Sequence, residues 1–204
     1  MQRRNLSKEK LNPGRPLDFS NRKVARVAGA SRGIGRAIAE ALARNNICVF
    51  VNFNSKAKEA AEHVGAIRRA GGAREVIRAN VSRERRVHHV FKVIAQRAGR
   101  LDILGGNIGA HYSASKAALA GFAEYLSRAV GQHRITVNIF EPGFVQTELS
   151  ASLHRTKADI RAMCRNVPLR RIGTVKNIAD GVAFLAGDAA AYITRHKLAI
   201  TGGR

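Results

Sequence analysis

From Lys23 onward, short apolar runs alternate with stretches whose apolar residues recur at helical spacing. "KVARVAGA" (23–30) reads as a strand. "GRAIAEALARN" (35–45) reads as a helix, with Ala37, Ile38, Ala41 and Leu42 on one face. "ICVFVNF" (47–53) is a strand, 55–70 a helix and "AREVIRA" (73–79) a strand. Residues 82–98 form a helix with Ser82 as its N-cap. "LDILG" (101–105) is a strand, 113–130 a helix and "ITVNIF" (135–140) a strand. Residues 156–166 and 175–187 are helical, and "KLAIT" (197–201) is a last strand. Strands joined by helical crossovers imply an α/β domain whose parallel sheet is covered on both faces.

At 204 residues the chain has room for one domain with a sizeable core, and 23–204 is expected to form it. Residues 1–22 are polar, basic and broken by Pro13, Gly14 and Pro16; a disordered leader is expected there, and the apolar core of a secretory signal is lacking. No apolar run reaches the ~18 residues of a membrane span. Cys48 lies in an apolar run and reads as a core residue. Cys48 and Cys164, two scattered cysteines, point to a reducing compartment, and a cytoplasmic location is expected.

Charge changes the picture more. Lys and Arg number 36 against 14 Asp and Glu, a net charge of +22. Such a chain attracts polyanions: nucleic acid, phosphorylated cofactors, acidic carrier proteins and anionic membranes. Residues 1–23 hold seven basic and two acidic residues, so most of the excess lies on the body. No recognition-helix pattern, zinc spacing or basic–aromatic interleaving is present, so specific nucleic-acid binding is not expected.

Candidate chemistry begins at "VAGASRGIGRAIAEAL". Gly29, Gly33 and Gly35 lie between the first strand and the first helix. Glycines there let the backbone turn tightly and approach a pyrophosphate, and the helix start supplies N–H groups and a positive dipole. The second strand ends in "VNFNSK". Asn52, Asn54, Ser55 and Lys56 stand where a carboxylate would bind a ribose 2′-hydroxyl, and Arg32 is close enough along the chain to reach a 2′-phosphate. That favours NADP(H) over NAD(H). Solvated polar residues at a strand end are the plainer explanation of the same stretch.

Tyr112 and Lys116 sit four apart at the front of the 113–130 helix, in "YSASKAALAGF". Together with Gly29-x-x-x-Gly33-x-Gly35, this pair resembles the short-chain dehydrogenase/reductase family, and within it the 3-oxoacyl-[acyl-carrier-protein] reductases. "GRLDILGGNIG", "ITVNIFEPGFVQTEL", "VPLRRIGTVKNIADGVAFLAGDAAAYIT" and "ITGG" carry the resemblance from Lys23 to Gly203. It implies a Rossmann-type doubly wound parallel sheet. It also implies NADPH-dependent reduction of a 3-oxoacyl thioester or similar ketone, small or carried on an acyl carrier protein. By the same resemblance Tyr112 is the proton donor, assisted by Lys116, with Asn107 as a third catalytic residue. A phenol ionises near ~10, and an ammonium one helical turn away favours the phenolate. The resemblance places the cofactor against Gly29, Ser31, Arg32, Gly33, Ile34 and Gly35, and against Asn54, Ser55, Asn80 and Val81. Asn107, Gly109, Tyr112 and Lys116 follow, then Pro142, Gly143, Val145 and Thr147. No metal is implied. Of two expected interfaces, the one around the last strand and its helix persists, giving a homodimer.

One helix–strand unit of the family is missing. Gly109 is separated from Tyr112 only by Ala110 and His111. The family has a helix and a strand there, on the order of thirty residues or more. With them go its catalytic Ser and a relay Asn; Ser113 and Ser115 do not match that Ser, and His111 is a candidate substitute donor. The Tyr helix is expected to serve as crossover, moving "ITVNIF" alongside "LDIL". Further departures are Arg26 in the first strand, Asn80 in place of an Asp, Gly105 and Gly106 at a strand end, and Arg195 in place of a turn Gly. Three readings stay open: a reductase, a non-catalytic relative that binds nucleotide or a partner, and a cationic polyanion binder.

Overall fold

The computed structural model describes residues 19, 22–55, 74–106, 112–148 and 156–204, with the side chains of 74 and 112–119 outside the description. The leader's residues 1–18 and the 55–70 helix therefore lie almost wholly outside it.

β1 (Val24–Ala28) and β2 (Cys48–Phe53) are buried at every position, as parallel strands covered on both faces must be. They centre a four-stranded parallel sheet of order β3-β2-β1-β4, with β3 (Arg74–Arg78) and β4 (Ile103–Gly105) outermost. Register pairs Ala25 with Val49 and Val27 with Val51. Those four pack on α1 (Gly33–Arg44), whose Ala37, Ile38, Ala41 and Leu42 are buried as expected. Val24, Cys48 and Phe50 point to the opposite face and meet Val90 and Ile94 of α2 (Glu84–Ala98). The Phe19 ring stacks on Phe50 with centroids 6.1 Å apart.

Ser82 does not cap α2. The helix begins one turn position later, with Arg83 as N-cap. Asn80 takes Ser82 instead: its Oδ1 accepts from the Ser82 amide at 3.0 Å and the Ser82 hydroxyl at 2.8 Å. An Asx turn offers the backbone this alternative to an earlier helix start.

The second half holds α3 (Tyr112–Val130), a 3-10 turn at Gly131–His133 and β5 (Ile139–Pro142). β6 (Val145–Gln146), α4 (Lys157–Arg165), β7 (Gly173–Thr174), α5 (Val175–Ala186) and β8 (Lys197–Ile200) follow. Thr156 with Asp159 and Thr174 with Asn177 form capping boxes that start α4 and α5. α5 packs against α1 and places Ala179 in the core beneath β1.

β5 does not move alongside β4. It pairs in parallel with β8, and β6 pairs with β7. Among the described residues nothing extends the sheet beyond β4. The strand expected from Ile135 also begins only at Ile139. The Val137 amide instead donates to Thr194 Oγ1 at 3.0 Å, and the Asn138 side chain bridges Ile193 O and the His196 amide. Those side-chain bonds hold 135–138 to the 193–196 loop. The result is three separate ladders among the described residues and an uneven core: β1 and β2 are sealed, whereas no residue of β5 or β8 is fully buried. Leu104 of β4 is 57% exposed.

Candidate active site

The glycine turn is built as its residues dictate. β1 delivers the chain to Gly29 at φ 63°, and Gly33 at φ 57° opens α1; both angles favour glycine. A Cβ placed on Gly33 would meet no atom within 4 Å, so open space lies over the first turn of α1. That turn has no acidic residue, and its N-cap Arg32 makes no side-chain capping bond. The leading N–H groups and the positive end of the helix dipole are thus available to an anion. These residues fit a dinucleotide pyrophosphate. Ser31 and Ile34 flank the turn and are half-buried, Gly35 is buried and Arg32 is exposed.

At the end of β2, Asn52 turns inward. It is fully buried, and its Nδ2 donates to Ile77 O at 3.0 Å and Ala79 O at 3.2 Å. Its Oδ1 accepts from Arg26 Nη2 at 2.6 Å. Asn52 is therefore structural, and Asn54 and Ser55 are left exposed at the strand end. Register places Arg78 of β3 opposite Phe53, and its Nε donates to Asn54 O at 3.2 Å. This brings a guanidinium to the Asn54–Ser55 edge. Sequence reading missed Arg78, because only the strand pairing reveals its position. Asn80 and the exposed Val81 follow at the end of β3, with Asn80 Oδ1 engaged by Ser82. All these residues gather at the carboxyl ends of β1, β2 and β3, where an open parallel sheet binds ligands.

A cleft of about 1950 Å³ lies beside them, between β4 and β5. It brings Ile34 together with Pro142, Gly143, Val145 and Thr147. Gly143 has a packing reason to be glycine: a Cβ there would come within 2.7 Å of Thr201 Cα. Tyr112 opens α3 and Lys116 follows one turn later on the same helix. Asn107, Gly109 and His111 lie outside the described residues, as do the Tyr112 and Lys116 side chains. Among the described residues no cluster of metal-ligating side chains occurs, and no helix is long and apolar enough to cross a membrane.

Arg26 is the anomaly of this frame. It is 6% exposed in the central strand, its Nε has no partner among the described residues, and burial lowers its pKa. Arg195, where a turn favours glycine, sits at φ 60°. Its Nη2 reaches Glu124 Oε1 of α3 at 2.8 Å.

Comparison with known proteins decides the family. A 3-oxoacyl-[acyl-carrier-protein] reductase of Escherichia coli is 33% identical over 238 aligned positions, covering 89% of this chain and 96% of the relative. The chain belongs to the short-chain dehydrogenase/reductase family. The family model described as short chain dehydrogenase matches residues 23–111, and one described as enoyl-(acyl carrier protein) reductase matches 106–204. A 1-cyclohexenylcarbonyl-CoA reductase of Streptomyces collinus is 26% identical, covering 94% of this chain and 90% of the relative. Among solved structures, a Serratia marcescens short-chain dehydrogenase/reductase aligns with TM-score 0.83 at 27% identity, covering 89% of this chain and 97% of that one. An angucycline C-6 ketoreductase with bound NADP aligns with TM-score 0.79 at 27% identity, covering 89% and 95%.

The shortening of this family member is also visible. Since 89% of 204 residues is about 182, roughly 56 of the 238 aligned positions of the Escherichia coli reductase fall opposite a gap in this chain. The two family models meet at 106–111, between β4 and α3. The cleft opens at the same junction. As a family member the chain is an oxidoreductase by kinship, with an α/β Rossmann-like sheet and relatives that are reductases.

Proposed function

We propose that this chain binds NADP(H) and reduces the ketone of a 3-oxoacyl thioester or a similar substrate, small or carried by an acyl carrier protein. The observation that carries the reading is the uncapped, acid-free start of α1 beneath Gly29 and Gly33. The cofactor supplies hydride when bound. The chain's residues do the rest. The first turn of α1 holds the pyrophosphate. Arg32 and Arg78 face a 2′-phosphate near Asn54 and Ser55, where no carboxylate repels it. Ile34, Pro142, Gly143, Val145 and Thr147 line the cleft on the side where a reacting carbonyl would lie. Tyr112 donates the proton to the developing alkoxide, and Lys116 favours its phenolate between turnovers. Asn107 completes the catalytic set.

The break between β4 and β5 favours a second reading, nucleotide binding without turnover. Loss of the family's Ser removes an oxyanion-side donor, worth ~10²–10³ in rate. Both readings accommodate a homodimer through α5 and β8, where Phe184 is exposed.

The test is NADPH titration followed by ketone-dependent NADPH oxidation on one sample, repeated with Tyr112→Phe. Reduction that disappears in Tyr112→Phe while NADPH still binds supports the catalytic reading. Binding without oxidation in either protein selects the second. Absence of nucleotide binding overturns both.

A further inference from the structure

The "ITGG" segment does something that the dinucleotide turn does not explain. β8 ends at Ile200, and Gly202 at φ 72° and Gly203 at φ 96° turn the chain sharply just after it. Both angles lie in the left-handed region that favours glycine. Both residues are also closely packed. A Cβ on Gly202 would come within 2.8 Å of Val167 Cγ1, and one on Gly203 within 2.9 Å of Pro168 Cγ. The Leu169 amide donates to Gly202 O at 3.1 Å, and the Gly203 amide donates to Thr201 Oγ1 at 3.2 Å. On the other side Thr201 lies against Gly143, whose amide donates to Ile200 O at 3.0 Å. The turn is thus fixed between residues 167–169 and the 142–147 segment.

Arg204 is what this turn delivers. Its Cζ lies 4.1 Å from the centroid of the Phe144 ring, and the residue lines the cleft together with Pro142, Gly143, Val145 and Thr147. The ring face attracts the cation and restrains it. The guanidinium still offers a fork of N–H donors, a geometry that suits a carboxylate or a phosphate. Among the described residues no carboxylate pairs with Arg204. The acids that line the cleft are already engaged: Asp188 by Lys23, Asp102 by Arg100 and Glu141 by Lys197. The cleft therefore carries uncompensated positive charge at Arg204, and such a cleft draws in anions.

We propose that Arg204 is a specificity-determining residue that binds an oxyanion carried by the ketone substrate, either a carboxylate or the phosphate of a carrier arm. The proposal rests on the ketone-reductase reading, in which residues 142–147 flank the reacting carbonyl. An anionic ketone gains a charge-assisted contact there, whereas a neutral ketone of similar size leaves the guanidinium to water. The glycine turn and Phe144 act before binding, by holding the cation where the anion arrives.

Three ketones test the assignment. 3-Oxobutanoate carries a carboxylate, 3-oxobutanoyl-CoA carries phosphates, and ethyl 3-oxobutanoate carries neither. Each is titrated by calorimetry into the full chain, with and without NADP+, so that affinity is read without turnover. The anion that Arg204 recognises should bind roughly tenfold more tightly than the ester. Arg204→Gln should cut the ratio of anion to ester affinity roughly tenfold, for the carboxylate if the free acid is the ligand and for the CoA thioester if the carrier arm is. Arg204→Lys, which keeps the charge and loses the fork, should fall between. Arg204 is exposed, so these substitutions leave the core untouched. A ratio unchanged in Arg204→Gln overturns the proposal, as does a parent that binds none of the three. Equal weakening of NADP+ and all three ketones overturns it too, because it would mean a cofactor contact or a structural role. Absence of ketone reduction with NADPH, in a chain whose affinity ratio still depends on Arg204, removes the reductase reading and keeps the anion site.

Discussion

Replacing Arg26 by leucine should make this protein more stable, although it removes a hydrogen bond. Arg26 lies in the central strand at 6% exposure, with Nη2 on Asn52 Oδ1 at 2.6 Å and Nε unpartnered among the described residues. Among the described residues no carboxylate forms an ion pair with it. An unpaired buried ion retains a desolvation penalty of several kcal/mol, and an orphaned donor adds ~1–3 kcal/mol. Leucine removes both. It leaves Asn52 Oδ1 without its donor, which costs ~1–3 kcal/mol, while Asn52 keeps its bonds to Ile77 O and Ala79 O. The balance favours Arg26→Leu by about 2 kcal/mol, a rise in Tm of about 4–8 °C for a chain of this size. Urea denaturation should show a higher midpoint with an unchanged slope. The sign of the pH dependence follows from the lowered pKa. The unfolded chain holds the Arg26 proton more tightly, so stability rises with pH between the lowered folded value and the ordinary guanidinium value. Arg26→Leu should lose that alkaline gain. A variant less stable than the parent by about 1 kcal/mol or more would refute the reasoning, and would mean that the guanidinium is satisfied by groups outside the described residues.

The other expectations are simpler. Arg195→Gly should raise stability by about 1 kcal/mol in thermal unfolding, because the left-handed backbone at φ 60° strains a side chain and the exposed pair with Glu124 returns little; a lower Tm would show that pair to matter more than the strain. NADPH should bind more tightly than NADH by titration fluorescence, and Arg32→Ala should narrow the gap by about tenfold or more, with Arg78→Ala acting in the same direction; equal affinities in the parent would remove the 2′-phosphate argument. Light scattering across a salt series should show a dimer that strengthens as salt screens the +22 net charge; a strict monomer throughout would remove the α5–β8 interface.

The amino-acid sequence by itself determined the local pattern. Alternation of apolar runs and helical spacing located β1, α1, β2, β3 and α5 within a few residues, because each is specified by its own period and caps. The Gly29–Gly35 turn was legible for the same reason: glycine is needed where φ is positive, whatever surrounds it. The Tyr112 and Lys116 spacing was legible as well, being local to one helix. What surrounds Arg26 and Asn52 was not. Arg26 reads only as a charge out of place until strand register sets Asn52 beside it and orphans its Nε. Arg78 reads as one cation among 36 until its pairing with Phe53 brings it to Asn54. The position of β5 was decided by tertiary structure alone. A parallel strand that is apolar on both faces does not specify its neighbour by pattern. Its bonds go to whichever edge the rest of the chain can bring alongside, and here the 193–196 loop holds it to β8; among the described residues nothing pairs with the outer edge of β4.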